Sequence, residues 1–333
     1  MYAECLRNTL LTRTGDLVAR EGSSFTGRGG LPRLKKFGDL GDSSMVNDLS
    51  KAHQPVSDVF AANLQSATPL SSAMVDSYHR DGFVAPIPMF NAHQVAILCA
   101  ELEKLSDPHQ PNNPLWYEFH RNESGDAESV LFHALGAWRI SPAFHDALWN
   151  PHFLQPARQI LGGDIRFWHD QVFCKPPHCG GPVAWHQDYS YWTRTGPMNH
   201  LTCWIALDDA DKENGCLHYV PGSHRWSLLP MPSIAGSLEA IAADLTQEQQ
   251  EQLNQPVAIE IAAGQACFHH PLTLHGSEGN LSNRPRRAMV INVMLDGTQS
   301  LSDEPLLNGV DPIPKGQTVG GQFFPLLKMP TGI

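Results

Sequence analysis

Past residue 163 the chain breaks into short runs dominated by β-branched and aromatic residues, punctuated by Gly, Pro and Asn-Gly: 165–173, 183–186, 201–207, 216–220, 257–261, 265–269 and 287–295. Such runs predict strands. Many short strands without alternating helices predict a sandwich or barrel. Upstream the period is helical. Within 91–105, Val95, Leu98, Leu102 and Leu105 fall on one helical face behind a cap at Asn91. A second helix is predicted over 151–161, stopped by Gly162-Gly163, and Gly82 to Ala85 reads as a short strand. Residues 234–255, acidic, Gln-rich and helix-prone, read as an insertion.

The stretch 1–73 is rich in Gly, Ser and polar residues, shows no sustained periodicity and predicts a poorly ordered extension. The expected organisation is this extension followed by one domain, 74–333, of mainly β class with flanking helices (α+β) and a strand core at about 165–295.

Composition narrows the function. At 333 residues, 17% charged and 41% hydrophobic, the chain has the make-up of an ordinary globular protein with a sizeable core. A formal net charge of -11 argues against nucleic-acid or anionic-membrane partners, which clustered Lys and Arg would serve. No run of 18 or more apolar residues occurs, so no transmembrane helix is predicted. The cysteines are scattered without CxxC spacing, so neither a disulfide framework nor a zinc knuckle is indicated, and a cytoplasmic setting is expected. The extension carries several Arg but also Glu4, Asp16 and Glu21, which leaves organelle targeting as the lesser alternative. Seventeen histidines are the compositional oddity and fit a metal enzyme.

Chemistry enters at Trp185-His186-Gln187-Asp188. On a strand, where side chains alternate, an imidazole and a carboxylate two residues apart face the same side and can ligate one ion. A second histidine from elsewhere would complete a triangular face with three open coordination positions, the geometry of non-haem Fe(II) oxygenases. His269, His270 and His275 all compete for that place. By itself the HxD triplet has little specificity.

The motifs KPP (175–177), WHQD (185–188), WIALDDADKENGCLHYVPGSH (204–224) and LHGSEGNLSNRPRRA (274–288) occur in this order. On these the region from Asp76 to Leu295 resembles the phytanoyl-CoA dioxygenase family. The resemblance implies a double-stranded β-helix (jelly roll, cupin-like), with His186, Asp188 and His275 as ligands of Fe(II). It makes Arg286, eleven residues beyond His275, the anchor for the far carboxylate of the co-substrate 2-oxoglutarate. Ser277 would add a hydroxyl, and Trp204 and Gln171 would line the co-substrate. With O2, such a site implies hydroxylation of an unactivated C–H bond, releasing succinate and CO2. Halogenating relatives have a small residue where Asp188 stands, so hydroxylation is favoured, although desaturation and ring formation use the same ligands.

Other features are weighed beside these. Some relatives have a lysine where Val130 stands, leaving the contact to the co-substrate's C1 end open, with Lys175 as a possible replacement. Arg287 and Arg284 compete with Arg286, but on a strand Arg287 faces the opposite side. Asp208, Asp209 and Glu213 read as a solvated strand connection. His133, His169 and His218 read as core or pocket residues. Tyr191, Trp192 and Arg194 are candidates for a substrate wall. No Lys/Arg cluster suited to coenzyme A phosphates is visible in the domain, so a small organic substrate is expected, with an acyl-CoA 2-hydroxylase as the alternative. A cupin-like metal protein or isomerase that does not use 2-oxoglutarate is the second alternative. Oligomeric state is not legible.

Overall fold

A computed structural model describes residues 47–61, 67, 69–229, 241–242 and 245–329. The strands form two antiparallel sheets. The larger has the order β1 (Phe83–Pro88), β10 (Gln265–His269), β7 (His200–Ala206), β12 (Arg286–Leu295), β4 (Ile165–Lys175), β3 (Phe132–Leu135) and β2 (Glu118–His120). The smaller runs β5 (Val183–His186), β11 (His275–Ser277), β8 (Leu217–Tyr219) and β9 (Val257–Ile259). A short separate ladder joins β6 (Thr195–Gly196) to Gln299–Ser300. From β4 onwards the chain passes back and forth between the sheets, with β4, β7, β10 and β12 in the larger and β5, β8, β9 and β11 in the smaller, which is the jelly-roll winding.

Alternation along the strands explains the layers. On β7, Cys203 and Ile205 belong to a large core with Leu98, Leu102, Phe144, Phe153 and Leu154 from the helices behind the sheet. Their neighbours Trp204 and Ala206 face the other way, into a smaller core shared with Leu217 and Tyr219 of the minor sheet. The site forms in this second layer, between the sheets.

The helices follow their local signals. Helix α1 (Ser72–Asp81) is capped by Ser71 and ends at Gly82, whose φ of 87° is left-handed. Any Cβ at Gly82 would stand 2.5 Å from His224 Nδ1, so glycine is required sterically as well. Helix α2 (Ala92–Ser106) has a capping box between Asn91 and Gln94. Helices α3 (Pro142–Ala147) and α4 (Pro151–Leu161) each start on a proline. Helix α5 (Gln247–Leu253) is described within the expected insertion; residues 230–240 and 243–244 lie outside the described residues. Ile241, Leu245 and Leu253 pack on Trp226 and Leu274, with Trp185 against them, and cover the outer face of the minor sheet.

The domain differs from its expected start at residue 74. Its compact unit begins at Asp48. Leu49 and Phe60 are buried, Asp48 pairs with Arg139 at 2.5 Å, and the Asp146 carboxylate accepts the Val56 and Ser57 amides at 2.8 and 2.7 Å. These contacts span about ninety residues of sequence, so no local periodicity announces them. Residues 1–46 lie outside the described residues. None of the helices described is long and apolar enough to cross a membrane.

Candidate metal and co-substrate site

Strand β5 ends at His186 and pairs with β11 so that His186 stands opposite His275. Directly after His186 the chain leaves the strand and turns through a 3-10 helix, Asp188–Tyr191. His186 Nε2 and His275 Nε2 lie 3.3 and 3.7 Å from Asp188 Oδ1. Among the described residues these three are the group whose ligand atoms converge, all within 4.8 Å of one another. Gln187, between two of them, is turned away; its amide bonds the Leu272 carbonyl at 2.9 Å and accepts the Leu229 amide at 2.8 Å.

The donor set suits a divalent metal. His186 Nδ1 donates to the Ala184 carbonyl at 2.8 Å and His275 Nδ1 to that of Thr273 at 2.9 Å. With the proton fixed on Nδ1, each Nε2 lone pair is free to ligate. Asp188 is oriented in the same way: its Oδ2 accepts Thr202 Oγ1 at 2.6 Å and His269 Nε2 at 2.9 Å, leaving Oδ1 towards the two histidines. His269 is in turn held by the Tyr219 hydroxyl, 2.7 Å from its Nδ1. Burial opposes the charge on Asp188, but His275, His186 and His269 outweigh it and hold the carboxyl well below its usual range. Burial, reinforced by His186, pushes His275 well down, so it is neutral as a ligand must be.

A partly open cavity of about 430 Å³ leads from these ligands to Arg286. Gln171, Phe173, Val183, Thr202, Trp204, Leu217, Ser277 and Val290 line it. Arg286 is 1% exposed, lies over the Trp204 ring with its Cζ 5.5 Å from the centroid, and reaches Ser277 Oγ at 3.5 Å. Its Nε has no hydrogen-bond partner, and no carboxylate among the described residues pairs with it. Burial lowers its pKa to about 10, which still leaves a cation at neutral pH. An unpaired buried guanidinium is costly unless an anion completes it. The next residue, Arg287, points out of the sheet to Asp208 and Glu103 at 2.7 and 2.8 Å. Arg284 is engaged by Asp211.

The remaining sequence candidates separate. His270 bonds the Leu272 amide at 3.1 Å and packs on His224, away from the ligands. Tyr191 is 57% exposed with its ring 5.9 Å from that of His186. Trp192 and Arg194 do not join it. Trp192 is buried against His169 and His200, and Arg194 ties down the Pro305 carbonyl and Glu304. The 3-10 turn that follows the strand carries these two side chains away from the ligands. Lys175 is also displaced from the C1-end role considered for it: it lies at the Arg286 end, with Nζ 2.7 Å from Ser277 Oγ. Sequence reasoning missed Thr202 and His269 as supports of Asp188. Thr202, two residues before Trp204, shares its face, a signal that was available.

Two sheets wound as a jelly roll around two histidines, a carboxylate and a buried cation without an anionic partner define a metal-dependent oxygenase. The comparisons with known proteins specify it. The model of the family "Phytanoyl-CoA dioxygenase (PhyH)" matches residues 78–288, and the chain belongs to that family. The ectoine dioxygenase of Bordetella parapertussis is 30% identical over 246 residues, covering 68% of this chain and 77% of that protein. A Caenorhabditis elegans phytanoyl-CoA dioxygenase domain-containing protein 1 homolog is 36% identical over 164 residues, covering 46% and 55%. The epimerase SnoN, solved in complex with Fe3+, alpha ketoglutarate and nogalamycin RO, superposes with a TM-score of 0.61 at 25% identity, covering 77% of this chain and 98% of that one. The enzyme is thus a non-haem iron dioxygenase that uses 2-oxoglutarate and O2.

Proposed function

We propose that this dioxygenase hydroxylates an unactivated C–H bond of a small organic substrate, with His186, Asp188 and His275 holding Fe(II) and Arg286 anchoring 2-oxoglutarate. The observation that carries the co-substrate assignment is the buried Arg286 guanidinium with its partnerless Nε. A planar, permanently charged fork suits a carboxylate, which it can bind through two parallel hydrogen bonds. A cupin-like isomerase without 2-oxoglutarate would leave that cation uncompensated.

When bound, iron supplies the redox chemistry: O2 gives one oxygen atom to succinate and one to the substrate, while C1 of 2-oxoglutarate leaves as CO2. The protein's residues position and enclose. Arg286 and the Ser277 hydroxyl take the far carboxylate, with the Trp204 ring beside the guanidinium. Phe173, Val183, Leu217 and Val290 exclude water from the cavity. Asp188 keeps the third protein ligand in place, which favours hydroxylation over halogenation.

The rim supports a small molecule over an acyl-CoA. The exposed Tyr191 ring stands beside His186, Glu123 is paired with His133 at 2.9 Å, and Arg286 is the only Lys or Arg among the residues lining the cavity. Coenzyme A phosphates would find no further cation there. Relatives named for ectoine, a small molecule, agree with this reading. A cytoplasmic setting rests on the sequence alone. The expected result of incubating the iron-loaded enzyme with candidate small molecules is substrate-stimulated succinate release, with a product heavier by one oxygen atom. Stimulated succinate with a product lighter by two hydrogens would instead identify desaturation or ring closure.

A further inference from the structure

Three side chains converge at the inner end of the cavity, and only two of them are explained by co-substrate binding. Lys175 stands opposite Arg286 on the neighbouring strand and is 0% exposed. Its Nζ donates to Ser277 Oγ at 2.7 Å, to the Ser277 carbonyl at 3.4 Å and to the Glu278 carbonyl at 2.5 Å. Three acceptors use the three hydrogens of an ammonium, so none is left for a ligand. The packing around it leaves no slack. A Cβ at Gly215 would lie 2.4 Å from the Glu278 carbonyl oxygen and 3.2 Å from Lys175 Nζ, and one at Gly180 would lie 2.7 Å from Lys175 Cβ.

We propose that Lys175 is a positioning residue for 2-oxoglutarate, holding Ser277 Oγ from behind so that the hydroxyl hydrogen is directed at the carboxylate gripped by Arg286. A hydroxyl has one hydrogen and two acceptor lone pairs. Here Lys175 occupies one lone pair, and Arg286 Nη2 approaches the same oxygen at 3.5 Å. The hydrogen is therefore free to be donated forwards. A neutral residue at 175 would let Ser277 turn its hydrogen onto the protein's own carbonyls. The charge arrangement agrees. Burial and the neighbouring Arg286 push the Lys175 pKa well down, so an anion arriving beside the pair favours its ammonium form.

The inference rests on 2-oxoglutarate being the co-substrate, and the test keeps the two apart. Anaerobic Fe(II)-loaded protein is titrated calorimetrically with 2-oxoglutarate and with pyruvate, a 2-oxo acid without the far carboxylate. Lys175→Met is expected to weaken 2-oxoglutarate binding by about tenfold or more, the scale of one charge-assisted hydrogen bond. Pyruvate and Fe(II) affinities should stay within about twofold of wild type, on the same scale. In a double-mutant cycle, Lys175→Met should add little to the loss already caused by Ser277→Ala. Three results would overturn the inference: wild-type 2-oxoglutarate affinity in Lys175→Met, equal losses for 2-oxoglutarate and pyruvate, or fully additive losses in the cycle. Wild-type protein that fails to bind 2-oxoglutarate would overturn the co-substrate assignment, and this inference with it.

Discussion

Asp188→Ala is expected to lose both iron and turnover. The carboxylate supplies the one anionic ligand, and Thr202 and His269 hold it at 2.6 and 2.9 Å so that Oδ1 faces both histidines. Loss of supporting residues around a metal costs on the order of 10- to 100-fold in affinity or activity. Loss of the ligand itself should exceed that, with Fe(II) affinity reduced by about 100-fold or more and turnover falling at least in parallel. The substitution also leaves Thr202 and His269 without their buried acceptor, which costs about 1–3 kcal/mol of stability. Asp188→Glu restores the charge but moves the carboxylate one methylene away from those two donors, and should recover only part of the affinity. Iron content after dialysis, read beside succinate formation, checks this. Full iron retention in Asp188→Ala would remove Asp188 from the ligand set.

Arg286→Ala is expected to separate co-substrate binding from metal binding. Breaking a buried charge pair by removing one partner costs about 3–5 kcal/mol, so the apparent 2-oxoglutarate affinity should fall by roughly 100- to 1000-fold or more. Iron affinity should be nearly unchanged, because none of the ligand side chains bonds to Arg286. Arg286→Lys should rescue poorly, since a point charge cannot reproduce the fork. The check is the KM for 2-oxoglutarate alongside equilibrium iron binding. A silent Arg286→Ala variant would favour a metal protein that does not use 2-oxoglutarate.

The parts of the site that lie on regular strands were legible in the sequence. Period-2 alternation places His186 on the inner face, separates Arg286 from Arg287, and aligns Trp204 with the pocket. Helix α2 was legible for the same reason, because its apolar stripe and Asn91 cap are local. Features made by distant contacts were not. The 3-10 turn after His186 removes Trp192 and Arg194 from the rim, and nothing in their own residue types announces it. His269 read as one of three competitors for the third ligand place; that it supports Asp188 instead depends on β10 and β5 lying in opposing sheets. Lys175 was considered for the C1 end of the co-substrate, and only the pairing of β4 with β12 sets it beside Arg286. Short strands such as β2 and β3 are stabilised by their neighbours in the sheet more than by their own composition.

The central claim is that the His186, Asp188 and His275 face holds Fe(II) with room for 2-oxoglutarate to chelate it while Arg286 takes the far carboxylate. Anaerobic addition of Fe(II) and then 2-oxoglutarate to the wild-type protein tests it most directly, by visible absorption. A broad charge-transfer band that appears only with both components is the result predicted; a protein that binds iron yet shows no band with excess 2-oxoglutarate would contradict it.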